Sequence, residues 1–194
     1  CAIYESAGFV LQQRQKVSRL FLRDFEPAVW RKDRERLEQE GVRFVSIREL
    51  MNSGEDFVDA LHDGFCACER DVPMTGEIHH LTLAKFEQIF MNDDSGCTEG
   101  SWSAWEDGKC IAVCFLFKNP ADPTLANNGL TGVRREHRRR KLATAVKTRA
   151  LEWAKHVGIE RVVTDNQEDN PMYLLNEQLG FKYAYAQLIY RYNA

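Results

Sequence analysis

The chain has 194 residues, 44% of them hydrophobic and 28% charged, with a formal net charge of −3. That length buries one sizeable core and is short for two complete domains, and the composition excludes a disordered, fibrous or membrane-embedded chain. No apolar run reaches the roughly 18 to 20 residues that span a bilayer, and the first residues lack the basic, apolar and small-residue segments of a secretory leader, so a cytoplasmic location is expected.

Residues 9–22, FVLQQRQKVSRLFL, have strand character at both ends. Asp24 and Pro27 open a charged helix that runs to about Gln39 and is closed by Gly41. A short strand, GVRFVSI, follows. Between Glu55 and Glu69 the apolar residues Phe57, Ala60, Leu61, Phe65 and Cys68 recur at helical spacing, and Leu83, Phe86, Ile89 and Phe90 mark another helix with Thr82 as its cap. The DVPMTG stretch between them reads as a loop. SWSAWEDGKCIAVCFLFKN predicts a hairpin that turns at Asp107 and Gly108. Its second strand is continuously apolar, which places it in the middle of a sheet covered on both faces. Trp102 and Trp105 point to opposite faces of the first strand, so at most one of them can face a pocket.

LANNGLTGV supplies the next strand. LATAVKTRALEWAKHVG is a helix with Leu142, Val146, Ala150, Trp153 and Val157 on its apolar stripe and Gly158 as its stop, and ERVVTDN returns as a strand. Strand, basic loop, helix and strand make a βαβ unit whose loop lies at the carboxyl edge of the sheet. Asn170 and Pro171 then start a short helix that Gly180 ends, and FKYAYAQLIYRY closes the chain as a strand.

Charge is unevenly spread. Arg134 to Arg149 carries eight basic residues against one acid, Glu136, so this segment is +7 and the remainder −10. A nucleic-acid surface spreads its cations over a whole face, so no nucleic-acid partner is expected, and a module of that class is the least favoured reading. One compact polyanion suits the pattern better. The six cysteines, at 1, 66, 68, 97, 110 and 114, form no Cys-x-x-Cys pair and read as reduced, mostly buried thiols. His62 and Cys66, with Cys68, His79 and His80 nearby, lack the two ligand pairs of a zinc site, so no metal is expected.

A helix N-terminus exposes unpaired backbone N–H groups and a partial positive charge. Further cations there are unfavourable, so RREHRRRK immediately before Leu142 points to a bound anion such as phosphate. The segment GLTGVRREHRRRKLATAVKTRALEWAKHVG together with TDNQEDNPMYLLNEQLGF resembles the GNAT acetyltransferase superfamily, in which Arg138 and Ala143 occupy the first and last positions of the family's pyrophosphate signature. The resemblance implies an α/β fold with a central twisted mixed sheet flanked by helices. It implies transfer of an acetyl group from acetyl-CoA to the primary amine of a small-molecule acceptor, with no membrane partner. Leu130, Thr131, Gly132 and Val133 would then pair with the pantetheine arm. The loop of Arg138, Arg139, Arg140, Lys141, Leu142 and Ala143, followed by Thr144, would hold the pyrophosphate, and Asn166 and Asn170 would flank the thioester side.

Two positions depart from the family pattern. Lys141 replaces its central glycine, so the loop either has ordinary φ there or accepts the strain of a non-glycine residue at positive φ. Asn176 replaces the tyrosine that often protonates the departing thiolate. Asn127 and Asn128 also stand where many members place a basic carboxylate. Asn176, Tyr173 and Asn128 are the candidate catalytic positions, with Tyr173 and Tyr183 as fallback proton donors that are otherwise core or rim aromatics. The same departures suit a degenerate acyl-CoA sensor, which is the alternative function.

The first forty residues contain an echo of the last. Glu5, Gly8 and Phe9 match Glu177, Gly180 and Phe181 at a constant offset, as in tandem members of the family. Residues 1–40 are accordingly expected to be a strand and linker helix left from a preceding repeat, and 41–194 the acetyltransferase domain. Residues 9–22 should be ordered as a strand, either on the sheet of their own domain or on that of a second copy in a homodimer.

Overall fold

A computed structural model describes residues 2–72, 81–167 and 170–192. Its elements run α1 Ala2–Ser6, β1 Phe9–Phe21, α2 Arg31–Gln39, β2 Arg43–Ser46, α3 Ile47–Ser53, α4 Val58–Glu69 and α5 Leu83–Glu87. They continue with β3 Trp102–Glu106, β4 Lys109–Lys118, β5 Leu125–Val133, α6 Leu142–His156, β6 Arg161–Gln167, α7 Met172–Gln178 and β7 Lys182–Tyr192. Of the expected DVPMTG loop, only Asp71 and Val72 fall among the described residues.

The seven strands form one mixed sheet in the order β2-β3-β4-β5-β6-β1-β7. Asp107 (φ 49°) and Gly108 (φ 75°) both take positive φ and close the β3–β4 hairpin in two residues, the conformation whose twist matches that of the flanking strands. β4 is buried almost throughout. Ile111, Cys114 and Leu116 enter the core on the α6 face, while Cys110, Val113 and Phe115 enter the core on the α4 face. On that second face Phe65, Phe86, Phe90 and Phe115 pack ring against ring, with centroids 4.3 to 6.0 Å apart, a spacing that adds to the gain from burial. Trp102 and Trp105 do lie on opposite faces of β3, each against a different core.

β1 takes its place in the sheet of its own chain. It runs antiparallel to β6 from Gln15↔Gln167 to Phe21↔Arg161 and antiparallel to β7 from Phe9↔Tyr192 to Arg19↔Lys182. Leu20, Leu22, Phe25 and Leu37 share one core with Val162 and Phe181, so residues 1–40 and 41–194 pack together. The echo has a structural counterpart as well. α1 and α7 each precede a glycine in left-handed conformation, Gly8 at φ 85° and Gly180 at φ 94°, and each glycine leads through a phenylalanine into a strand.

The parallel pair β5 and β6 opens partway. Pairing runs from Leu125↔Arg161 to Asn128↔Thr164 and stops. Beyond that point β5 stays with β4, through Thr131, Gly132 and Val133, and β6 stays with β1, through Asp165, Asn166 and Gln167. The strands splay apart, and their facing edges have no strand between them among the described residues. Gly132 lets α4 approach β5 closely at this point, because a Cβ there would lie 2.5 Å from the Cβ of Cys68 on α4.

Two expectations of detail are corrected. Val157 lies beyond the end of α6 and is 49% exposed, so it does not extend the apolar stripe. The segment from Val42 does not continue as a strand through Ile47. Ser46 accepts from Glu49 N–H while the Glu49 carboxylate accepts from Ser46 N–H, a reciprocal cap that turns the chain into α3.

Candidate functional site

A cavity of about 880 Å³ fills the splay between β5 and β6 and continues to the start of α6, within the size range of small-molecule sites. Leu130, Thr131, Gly132 and Val133 form its β5 wall, and Leu142, Ala143 and Thr144, the first turn of α6, form its end. Arg138, Arg139 and Lys141 line it from the loop, and Asn166 and Asn170 from the far side. Asn170 Oδ1 also accepts from Met172 N–H at 2.9 Å and so sets the start of α7.

Lys141 resolves the question of the missing glycine. It adopts φ 74° and ψ 12°, the left-handed region, and no side chain caps the helix it precedes. Arg139 is also left-handed, with φ 62°. Non-glycine residues there cost about 1 to 2 kcal/mol each, and the turns they make bring the first N–H groups of a 15-residue helix to the cavity. Arg139 and Lys141 make no ion pair among the described residues.

The rest of the basic run is neutralised by acids from other elements. Asp63 pairs with Arg134, and Asp71 receives both Arg135 and Arg138. The hydrogen bond from Arg135, with the charge of Arg138 beside it, holds the Asp71 carboxyl below the usual carboxylate range. Arg140 does not line the cavity. It forks onto both carboxylate oxygens of Glu106 on β3, at 2.8 and 3.0 Å, and keeps that carboxyl low in turn. A bidentate fork satisfies guanidinium geometry well enough to fix the side chain where it is.

None of Asn176, Tyr173 and Asn128 reaches the cavity wall. Asn128 is buried, and its Nδ2 donates to the Phe115 carbonyl at 3.0 Å, completing the sheet where the strands part. Tyr173 lies beneath the Lys16 ammonium, 4.7 Å from ring centroid to Nζ. Tyr183 is 55% exposed and outside the cavity. Asn176 is 1% exposed and sits one layer behind the wall, bonded to two residues that do line it, Lys147 and Asn166. Neither tryptophan of β3 lines the cavity.

Several wall residues carry no signature in the sequence. The carboxylates absent from β5 are present on other elements, as Glu69 at the end of α4 and Asp165 on β6, and Gln13 and Gln15 reach in from β1. Cys68 also lines the cavity, but burial pushes its thiol up to about 12, so it stays protonated and unreactive. Lys147 was the one with a usable signal, being a lysine directly after Val146 on the apolar stripe of its helix. His62 Nε2 lies 2.7 Å from the Leu81 carbonyl oxygen, and His79 and His80 lie outside the described residues. Among the described residues no three His, Cys, Asp or Glu side chains are grouped to hold a metal, and no helix is long and apolar enough to cross a membrane. Cys66, Cys68, Cys97, Cys110 and Cys114 are free thiols, all buried.

The family model for the Acetyltransferase (GNAT) family matches residues 58–181, and the chain belongs to that family. Its fold is shared with a GCN5-related N-acetyltransferase from Sphaerobacter thermophilus, with TM-score 0.69 and 16% identity over 97% of this chain and 54% of that one. The GCN5-related glucosamine N-acetyltransferase region of a fungal multi-domain GH3 beta-N-acetylglucosaminidase has TM-score 0.68 and 15% identity, covering 97% of this chain and 22% of that one. A tandem GNAT protein from the clavulanic acid biosynthesis pathway has TM-score 0.65 and 22% identity, covering 97% and 56%. The chain thus spans at most a little over half the length of these three. A search among curated proteins found no match.

Proposed function

We propose that the protein is an acyl-CoA-dependent N-acyltransferase that moves an acetyl group from acetyl-CoA to the primary amine of a small-molecule acceptor. The observation that carries the reading is the joining of three features in one cavity: an uncapped helix start flanked by Arg139 and Lys141, an open β5 edge, and the carboxylates of Glu69 and Asp165 in the same lining. The first-turn N–H groups of α6 with the two loop cations suit a pyrophosphate, and the free edge from Leu130 to Val133 suits the amides of a pantetheine arm. Acetyl-CoA supplies the activated acyl group.

An alkylamine must lose a proton before it attacks, at a cost of about 4 to 5 kcal/mol at pH 7 for a lysine-like amine. Glu69 and Asp165 are the wall carboxylates placed to take it, directly or through water. A screen of amino acids, polyamines, aminoglycosides and amino sugars with acetyl-CoA, read by thiol release and by the mass of the product, tests the proposal. The named glucosamine activity of one structural relative places amino sugars in that screen. An acetylated amine is expected. CoA binding with no turnover of any amine would favour an acyl-CoA sensor instead.

A further inference from the structure

Lys147 lies about 9 Å along α6 from Lys141, at 1.5 Å per residue. It lines the cavity while remaining 2% exposed. Among the described residues it has no carboxylate partner. Nζ donates to Asn176 Oδ1 at 2.6 Å and stands 5.0 Å from the centroid of the Phe181 ring. The orientation of the Asn176 amide is set by its other end, where Nδ2 donates to Asn166 Oδ1 at 2.6 Å and leaves the oxygen for the lysine. An ammonium has three N–H groups, and among the described residues a single acceptor, Asn176 Oδ1, takes one of them.

Among the described residues nothing neutralises this charge. From β4 comes the Cys114 thiol, which burial holds protonated by raising its pKa. α7 and β6 contribute the neutral amides of Asn176 and Asn166, and the start of the closing strand contributes Phe181. Glu69, Asp71 and Asp165 line the same cavity and make no ion pair with Lys147 among the described residues, and the charged lining groups from the loop, Arg138, Arg139 and Lys141, are cations. Burial accordingly pulls the lysine down to about 8. A buried, unneutralised lysine destabilises a fold, and one held in a cavity wall by an oriented amide is suited to proton transfer.

We propose that Lys147 is the general acid of the transfer, giving the departing CoA sulfur its proton, and that Asn176 is the positioning residue that aims it. The inference rests on the acyltransferase reading. As the acceptor nitrogen bonds to the acyl carbon, the carbon–sulfur bond breaks and its electron pair goes to sulfur. A proton passes from Lys147 Nζ to that sulfur, yielding the thiol. The neutral lysine is recharged, through solvent, by the proton that the acceptor nitrogen sheds. Asn176, standing at the position of the family's usual tyrosine, has no proton to give, and the group it holds does. The two pKa values also match, since a lysine near 8 is mostly charged at pH 7 and lies close to the roughly 8.5 of an alkyl thiol.

The test uses acetyl-CoA with hydroxylamine, a small nucleophile already unprotonated at neutral pH, so that neither a base nor an acceptor pocket is required. In Lys147→Met, kcat should fall about 10²- to 10⁴-fold while KM for acetyl-CoA stays within about threefold. By NMR, the lysine signal missing from that variant should titrate near 8 in the wild type and shift when CoA is added. Asn176→Asp, of the same shape, should raise that titration and move the alkaline limb of the kcat profile to higher pH, and it serves alone if Lys147→Met fails to fold. Turnover by Lys147→Met within about threefold of wild type, an unmoved limb in Asn176→Asp, or an acetyl group found on Lys147 itself would each overturn the proposal. A wild type that binds no CoA would overturn the acyltransferase reading instead.

Discussion

The start of α6 and the point six residues along it handle positive charge in opposite ways. At the start, the cations are many and mostly exposed, and among the described residues Asp63 on α4, Asp71 just beyond it and Glu106 on β3 pair with all but Arg139 and Lys141. Further along, Lys147 is buried and has no counter-ion among the described residues. Density of charge is therefore a poor guide to role. Arg140, in the middle of the basic run, braces the β3–β4 hairpin through Glu106, whereas a lysine on the buried side of α6 reaches the cavity wall.

The sharpest contrast is in stability against pH. Lys147 falls from a usual 10.5 to about 8 in the fold, so between those values the unfolded chain binds more protons and stability contributed by this site rises with pH. Below pH 8 both states are protonated and the fold carries the full cost, about 3 kcal/mol. Lys147→Met should therefore melt higher than wild type at pH 7, with the gap closing from pH 8 towards 10.5. Thermal melts of the pair across that window check this, and a variant that melts lower than wild type at pH 7 would mean the lysine is structural.

Asn176→Tyr comes next. It restores the family's usual residue but places a larger ring in a site 1% exposed, so a loss of about 1 to 3 kcal/mol is expected. Turnover should fall with it, because the ring removes the amide that holds Lys147. A gain in kcat would contradict the role given to the lysine.

A smaller effect separates the loop cations from one another. Arg139→Ala with Lys141→Ala should weaken CoA about tenfold, or about 1.4 kcal/mol, leave pantetheine binding unchanged, and flatten the salt dependence of CoA binding. Arg140→Ala should leave CoA affinity alone and lower stability by about 1 kcal/mol or less. Calorimetry with both ligands distinguishes the cases, and equal losses of CoA affinity in the two variants would remove the distinction drawn for Arg140.

Local periodicity and turn chemistry made most of the fold legible. The Asp107-Gly108 hairpin, the apolar β4 and the β5–α6–β6 unit each follow from a short stretch of sequence, and so does the anion-binding start of α6, whereas the β5 wall of the cavity is implied by the family resemblance. The place of β1 between β6 and β7 rests on pairing between the two ends of the chain, which no local pattern encodes. Glu69, Asp165, Gln13 and Gln15 reach the site from elements far apart in sequence for the same reason. Asn176 drew notice as a departure from a pattern, yet its role became visible only through its hydrogen bonds to Lys147 and Asn166.

The central claim, that the cavity between β5 and β6 is a CoA site, is tested most directly by titrating CoA into the full chain in a calorimeter. The account predicts binding with a dissociation constant of about micromolar order, roughly −8 kcal/mol, and a matching rise in melting temperature. No heat and no thermal shift at about millimolar CoA, where an affinity of even −4 kcal/mol would register, would contradict it.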